Sequence, residues 1–190
     1  MSVSLDINAQ EPRWGDLDPL ARPAIDAVLA HLGHDPACFE VSLLACDDAR
    51  IQALNAEFRD KDSPTNVLSW PAWDLSPDAP GLMPEAPETG SPEDPEALGD
   101  MALAWETCTR EAREQGKSLH DHVTHLVVHS TLHLLGYDHE TDADAALMEE
   151  TEVAILAQMG IADPYAEGES GPVDASAGAD VGRNGPGKDP

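Results

Sequence analysis

The segment from Ser118 to His139 constrains this chain more than any other. Ser118 is placed to cap an apolar helix, and Asp121 three residues on gives that helix a capping-box-like start. The helix is expected to run to about Leu135 and to stop at Gly136. Near its end stand His129 and His133, four residues apart, so on a helix they lie about 40° apart around the axis and about 6 Å along it. One ion can be gripped by both. Gly136 lies where a left-handed residue allows the chain to reverse, and His139 arrives just after the turn. Three neutral imidazoles leave a fourth tetrahedral position for water, an arrangement suited to hydrolysis, whereas four protein ligands close a structural site. An i, i+4 histidine pair by itself is more often a partly buried polar pair than a metal site; the third histidine after a glycine turn favours the metal. Tyr137 and Asp138 are candidates for supporting the ligands from behind. His125, one helical step back, reads as packing or as such a support, and His122 more weakly so. His31, His34 and His120 read as surface or helix-end residues.

The remaining pattern alternates strand and helix. Val3, Leu5 and Ile7 alternate with polar neighbours as a half-buried strand requires. Leu20, Ala24, Ala27, Val28 and Leu32 recur at helical spacing between Pro19 and Gly33. Phe39 to Cys46 is an apolar, β-rich run, after which Asp47 or Asp48 can cap a helix carrying Ile51, Leu54 and Phe58. Asn66 to Trp70 reads as a short strand ended by Pro71. Between Pro71 and Pro95 lie seven prolines, and residues 74–98 hold seven acids with no Lys or Arg. Such a stretch is expected to be a mobile loop. A strand over Asp100 to Trp105, a short helix over Thr107 to Gln115 and a last helix from Thr141 or Asp142 to Met159 complete the pattern. The expected organisation is one domain over 1–165, including the acidic Pro-rich loop 74–98, followed by a disordered acidic tail over 166–190.

Composition narrows the function classes. The net charge of −27 opposes the broadly basic surface of a usual nucleic-acid binder, so a polyanionic substrate has to find a local basic site. The loop and tail together hold twelve of the 37 acids, which reduces that tension without removing it. No apolar run is long enough to span a membrane and the N-terminus lacks a leader pattern, so a cytoplasmic location is expected. Cys38, Cys46 and Cys108 form no CxxC pair and leave an odd thiol, which suits reduced structural cysteines.

The run His129-Ser130-Thr131-Leu132-His133-Leu134-Leu135-Gly136-Tyr137-Asp138-His139 closely resembles the signature of the YbeY family, bacterial endoribonucleases and ribosomal RNA maturation factors. The block Phe58-Arg59-Asp60-Lys61-Asp62-Ser63-Pro64-Thr65-Asn66-Val67-Leu68-Ser69-Trp70-Pro71 resembles that family's other hallmark. Leu98-Gly99-Asp100 and Asp163-Pro164-Tyr165 also fit, so the likeness runs from about residue 40 to 165. It implies an α+β fold, a small mixed four-stranded sheet packed with about five helices, with the metal site at the end of a central helix. It implies one zinc ion per chain on His129, His133 and His139, and hydrolysis of single-stranded RNA. Ribosomal RNA processing, including maturation of the small-subunit RNA 3′ end, and ribosome quality control are the implied roles, with ribosomes or ribosomal proteins as partners. Three departures stand out: Ser130 replaces the family's usual Gly, Ser63 stands where many members carry a basic residue, and the acidic loop from Asp74 to Leu98 and the tail are longer than is typical.

Arg59 matches the family's catalytic arginine, and its planar guanidinium suits bidentate contact with phosphate. Lys61 is a weaker candidate for positioning the strand. Arg110, Arg113 and Lys117 share a helical face that reads as solvated and stays outside the site. Asn66 reads as bonding to backbone in the turn that delivers Arg59. Two rival functions are a metal-stabilised assembly factor that cleaves nothing and a zinc protease. The protease motif needs a Glu directly after its first histidine, and that place is Ser130. Three imidazoles also suit nickel or copper, although zinc is the expected ion.

Overall fold

The computed structural model describes residues 1–166. Its sheet has four strands: β1 (Ser4–Ala9), β2 (Phe39–Cys46), β3 (Val67–Pro71) and β4 (Glu96–Ala104), in the order β1-β2-β4-β3. β1 and β4 both run parallel to β2, whereas β3 pairs antiparallel with β4, so the sheet is mixed and the fold is α+β. Five α-helices accompany it among the described residues: α1 (Asp18–His31), α2 (Asp48–Arg59), α3 (Trp105–Glu114), α4 (Leu119–Leu134) and α5 (Asp142–Gln158).

Alternation along β2 assigns the two faces. Phe39, Val41, Leu43 and Ala45 point into the main core with α1, α4 and α5, whereas Cys46 joins Ile51 and Leu54 of α2 on the other face. α1 buries Ala21, Ala24, Ile25, Val28 and Leu29, the spacing of one helical stripe. α4 differs: every residue from His122 to Leu134 is buried, as in a helix surrounded by protein. From His122 onward it therefore has no solvent face, and only His120 of its histidines is exposed.

Three local expectations are corrected. β4 begins at Glu96 rather than Asp100, because the strand pairs with β2 from Phe39 onward. Trp105 opens α3 rather than closing the strand, and its ring packs edge-on against Trp14 at 5.1 Å. The segment 72–95 has no regular element beyond a Ser91–Asp94 bridge, yet it is seated on the domain. Leu75 is buried, the Trp73 indole donates to Glu96 at 2.9 Å, and the Gly81 N–H donates to Asp144 at 2.8 Å. Stiff prolines lower the entropy lost on seating and buried apolar anchors offset the rest, which composition alone does not show. Apart from Ala166, the tail expected over 166–190 lies outside the described residues.

Gly99 marks a close backbone approach in the sheet. Its φ is +138°, and a Cβ there would lie 2.2 Å from the Trp70 carbonyl oxygen. Gly99→Ala is expected to cost about 3 kcal/mol of stability, read by urea denaturation; an unchanged midpoint would contradict this packing. The thiols make a second check. Burial pushes Cys46 up to about 12 and holds Cys108 well above the ordinary thiol range; Cys38 is raised too, by burial and then by Asp35 and Glu93, but it alone of the three is partly exposed. Native protein should therefore yield one accessible thiol in a colorimetric titration, and three once denatured.

Candidate metal centre

α4 ends in a glycine turn of the Schellman type. The Tyr137 N–H donates to the Leu132 carbonyl at 3.0 Å and the Gly136 N–H to the His133 carbonyl at 3.1 Å, with Gly136 at φ +100°. That reversal brings His139 back against the helix. The His129 and His133 rings lie 4.9 Å apart by centroid, and His139 lies 5.9 Å from the first and 5.5 Å from the second. One ring nitrogen from each falls within 4.8 Å of the others, so the three could hold a single ion. His129 and His133 are buried and His139 is half-buried.

The group behind the imidazoles was not apparent from the sequence. Glu152 of α5 is fully buried and accepts from His129 Nδ1, from His125 Nε2 at 3.1 Å and from the Tyr165 hydroxyl at 2.5 Å. Burial raises a carboxyl, but the His129 and His125 rings outweigh it and hold Glu152 well below the usual range. Burial and the adjacent Glu152 charge push the Tyr165 hydroxyl far up, so it remains a donor. Burial depresses His125, against the pull of Glu152. With Nδ1 donating to a carboxylate, His129 carries its lone pair on Nε2, and that atom is buried with no hydrogen-bond partner among the described residues. A ligand nitrogen aimed at a cation has this chemistry, and the donor set fits a metal. His125, His129 and Glu152 also cluster within ligand distance, but hydrogen bonds among them already use their facing atoms.

Tyr137 directs its hydroxyl to the Met83 sulfur at 3.8 Å, and Asp138, directly before His139, accepts from the Glu140 N–H at 3.0 Å. The signal for Glu152 was an acid in register with Met148, Ile155 and Leu156, the apolar stripe of α5. His122 bonds to Glu111 at 2.9 Å, which also accepts from Asn66 at 3.0 Å, so neither faces the centre. Asn66 additionally accepts from the Val67 N–H, the backbone role expected of it. Ser130 is fully buried with its hydroxyl 2.6 Å from that of Ser69, which ties α4 to β3 and turns the side chain away from solvent.

Arg59 ends α2, whose Ile51 and Leu54 pack in the smaller core cluster with Cys46, and its side chain is buried at 6 % exposure. Asp60 follows in the left-handed region at φ 58°, and the Asn55 amide donates to the Ser63 carbonyl at 2.9 Å, which fixes the turn beyond Arg59. Arg110 is exposed and lies 3.9 Å from Glu114, in keeping with a solvated face. Beside His129 and His139 opens a cavity of about 200 Å³, walled by Ala145, Met148, Glu149, Glu152 and Tyr165.

Comparison with known proteins agrees with this architecture. The family model described as endoribonuclease YbeY matches residues 6–160. A relative from Ruegeria pomeroyi named endoribonuclease YbeY is 58% identical over 166 residues, covering 86% of this chain and 98% of its own. One of the same name from Dinoroseobacter shibae is 59% identical over 165 residues, covering 86% and 91%. A solution structure of a Thermotoga maritima protein matches in fold with a TM-score of 0.51 at 19% identity, over 82% of this chain and 91% of that one. The matched residues include the block from Phe58 to Pro71 and all three converging histidines. The chain belongs to the endoribonuclease YbeY family.

Proposed function

We propose that this chain is a zinc-dependent endoribonuclease that cleaves single-stranded RNA in ribosomal RNA processing. The 3′ end of the small-subunit RNA and defective ribosomes are its expected targets, and it works in the cytoplasm. The observation that carries the reading is the buried His129 Nε2, held towards His133 and His139 by a carboxylate bond on its other nitrogen.

His129, His133 and His139 would hold one zinc ion. When bound, the ion supplies Lewis acidity and positive charge where negative charge develops on the scissile phosphate. Glu152 fixes the His129 tautomer and, as an anion, balances part of the charge at the site. His125 and Tyr165 satisfy that carboxylate, so it need not reach for solvent or substrate. Arg59 is assigned to clamp a phosphate oxygen, a task for which its planar guanidinium is suited. A chain of net charge −27 attracts RNA poorly at long range, and a ribosomal protein that presents the strand resolves this. Peptide hydrolysis is disfavoured, since Ser130, in the place of the protease glutamate, is buried against Ser69. Among the described residues no helix is long and apolar enough to cross a membrane.

Three proteins test this reading: the parent, His133→Ala and Arg59→Ala, each assayed for zinc by elemental analysis and for cleavage of single-stranded RNA. The parent should carry one zinc and cleave. His133→Ala should lose both properties, whereas Arg59→Ala should keep zinc and lose roughly 10²–10³-fold in rate. Equal cleavage by all three would refute the enzyme assignment, and ribosome association without cleavage by any would favour the assembly-factor reading. Glu152→Gln should lower zinc affinity roughly 10–100-fold, measured by chelator competition; unaltered affinity would remove Glu152 from the centre.

A further inference from the structure

His129 and His133 are held by helix α4, and His129 also by Glu152. His139 lies instead on the irregular stretch between Leu134 and Asp142. That stretch is gripped at both ends by the proline-rich connection between β3 and β4. At one end, a Cβ on Gly136 would lie 2.6 Å from the Leu75 carbonyl oxygen and 2.8 Å from the Pro84 Cβ. The Tyr137 hydroxyl donates to the Met83 sulfur at 3.8 Å on the same side. At the other end, the Gly81 N–H donates to the Asp144 carboxylate at 2.8 Å, in the first turn of α5. The connection is itself closed, because the Glu85 N–H donates to the Leu75 carbonyl at 3.0 Å, and it is anchored by the buried Leu75 side chain.

We propose that Leu75–Pro84 is a splint for the third imidazole, with Asp144 as its positioning residue: it holds the turn in the place from which His139 meets His129 and His133. The inference rests on the reading that these three side chains bind metal. Pro77, Pro80 and Pro84 lower the entropy of the free segment, so the splint adds rigidity at small cost. A ligand held in place before the ion arrives loses less freedom on binding. The acidic connection thus has a task at the centre although it supplies none of the converging imidazoles.

The test uses the full chain, Zn²⁺ competed against a chromogenic chelator, and Co²⁺ as a visible-absorption probe of ligand geometry. Asp144→Ala should weaken Zn²⁺ binding about 10-fold and alter the Co²⁺ spectrum, and Asp144→Asn, which keeps an acceptor for Gly81, should restore both. Replacing Ser76–Met83 by two glycines should weaken binding roughly 10–100-fold. In a His139→Ala background neither change should have further effect, since the splint acts through that ring. Equal losses in both backgrounds, or none in the parent, would overturn the proposal while leaving the metal centre intact. A parent that binds no zinc, or a His139→Ala variant of undiminished affinity, would instead overturn the metal reading and the splint with it. Should the shortened chain fail to fold, the Asp144 pair by itself separates these outcomes.

Discussion

A carboxylate taken entirely out of water has to be compensated, and the rest of this structure is arranged around that need. The effective cost of burying such an ion is several kcal/mol, and Glu152 meets it with donors from His125 and His129 of α4 and from Tyr165 beyond α5. The same bonds therefore dock the last helix and the Asp163–Tyr165 turn onto the central helix. They also fix which nitrogen of His129 faces the other imidazoles. Folding energy and site geometry are here one interaction, so the centre is assembled as the core closes.

The position of the centre at the end of α4 adds a second favourable term. The carbonyl end of a helix carries partial negative charge and favours a cation nearby. His129 and His133 sit in the last two turns, and the glycine turn adds His139 just beyond. From His122 onward α4 is buried, and the opening beside His129 and His139 lies towards α5. Arg59 comes from a different element, the end of α2, whose apolar residues pack in the smaller core cluster.

The imidazole trio was legible because its geometry is local: i, i+4 spacing and a glycine turn lie within eleven consecutive residues. Glu152 was not, since 37 acids hide one whose only distinction is its register with Met148 and Ile155. Arg59 needed the resemblance, because a terminal helical arginine carries no signal of its own. The strand boundary at Glu96 was obscured by an acidic, proline-rich approach, and the early end at Ala104 by Trp105, a β-favouring aromatic that packs on Trp14 instead. The seating of Leu75 behind Gly136 joins residues sixty-one apart in sequence, a relation that composition misreads as freedom.

The most direct measurement is X-ray absorption at the zinc edge of the metal-loaded protein. The expected first shell holds three imidazole nitrogens at about 2.0–2.1 Å, completed by one oxygen donor and free of sulfur. A shell built on thiolate, or one with fewer than three imidazoles, would contradict the metal centre described for His129, His133 and His139.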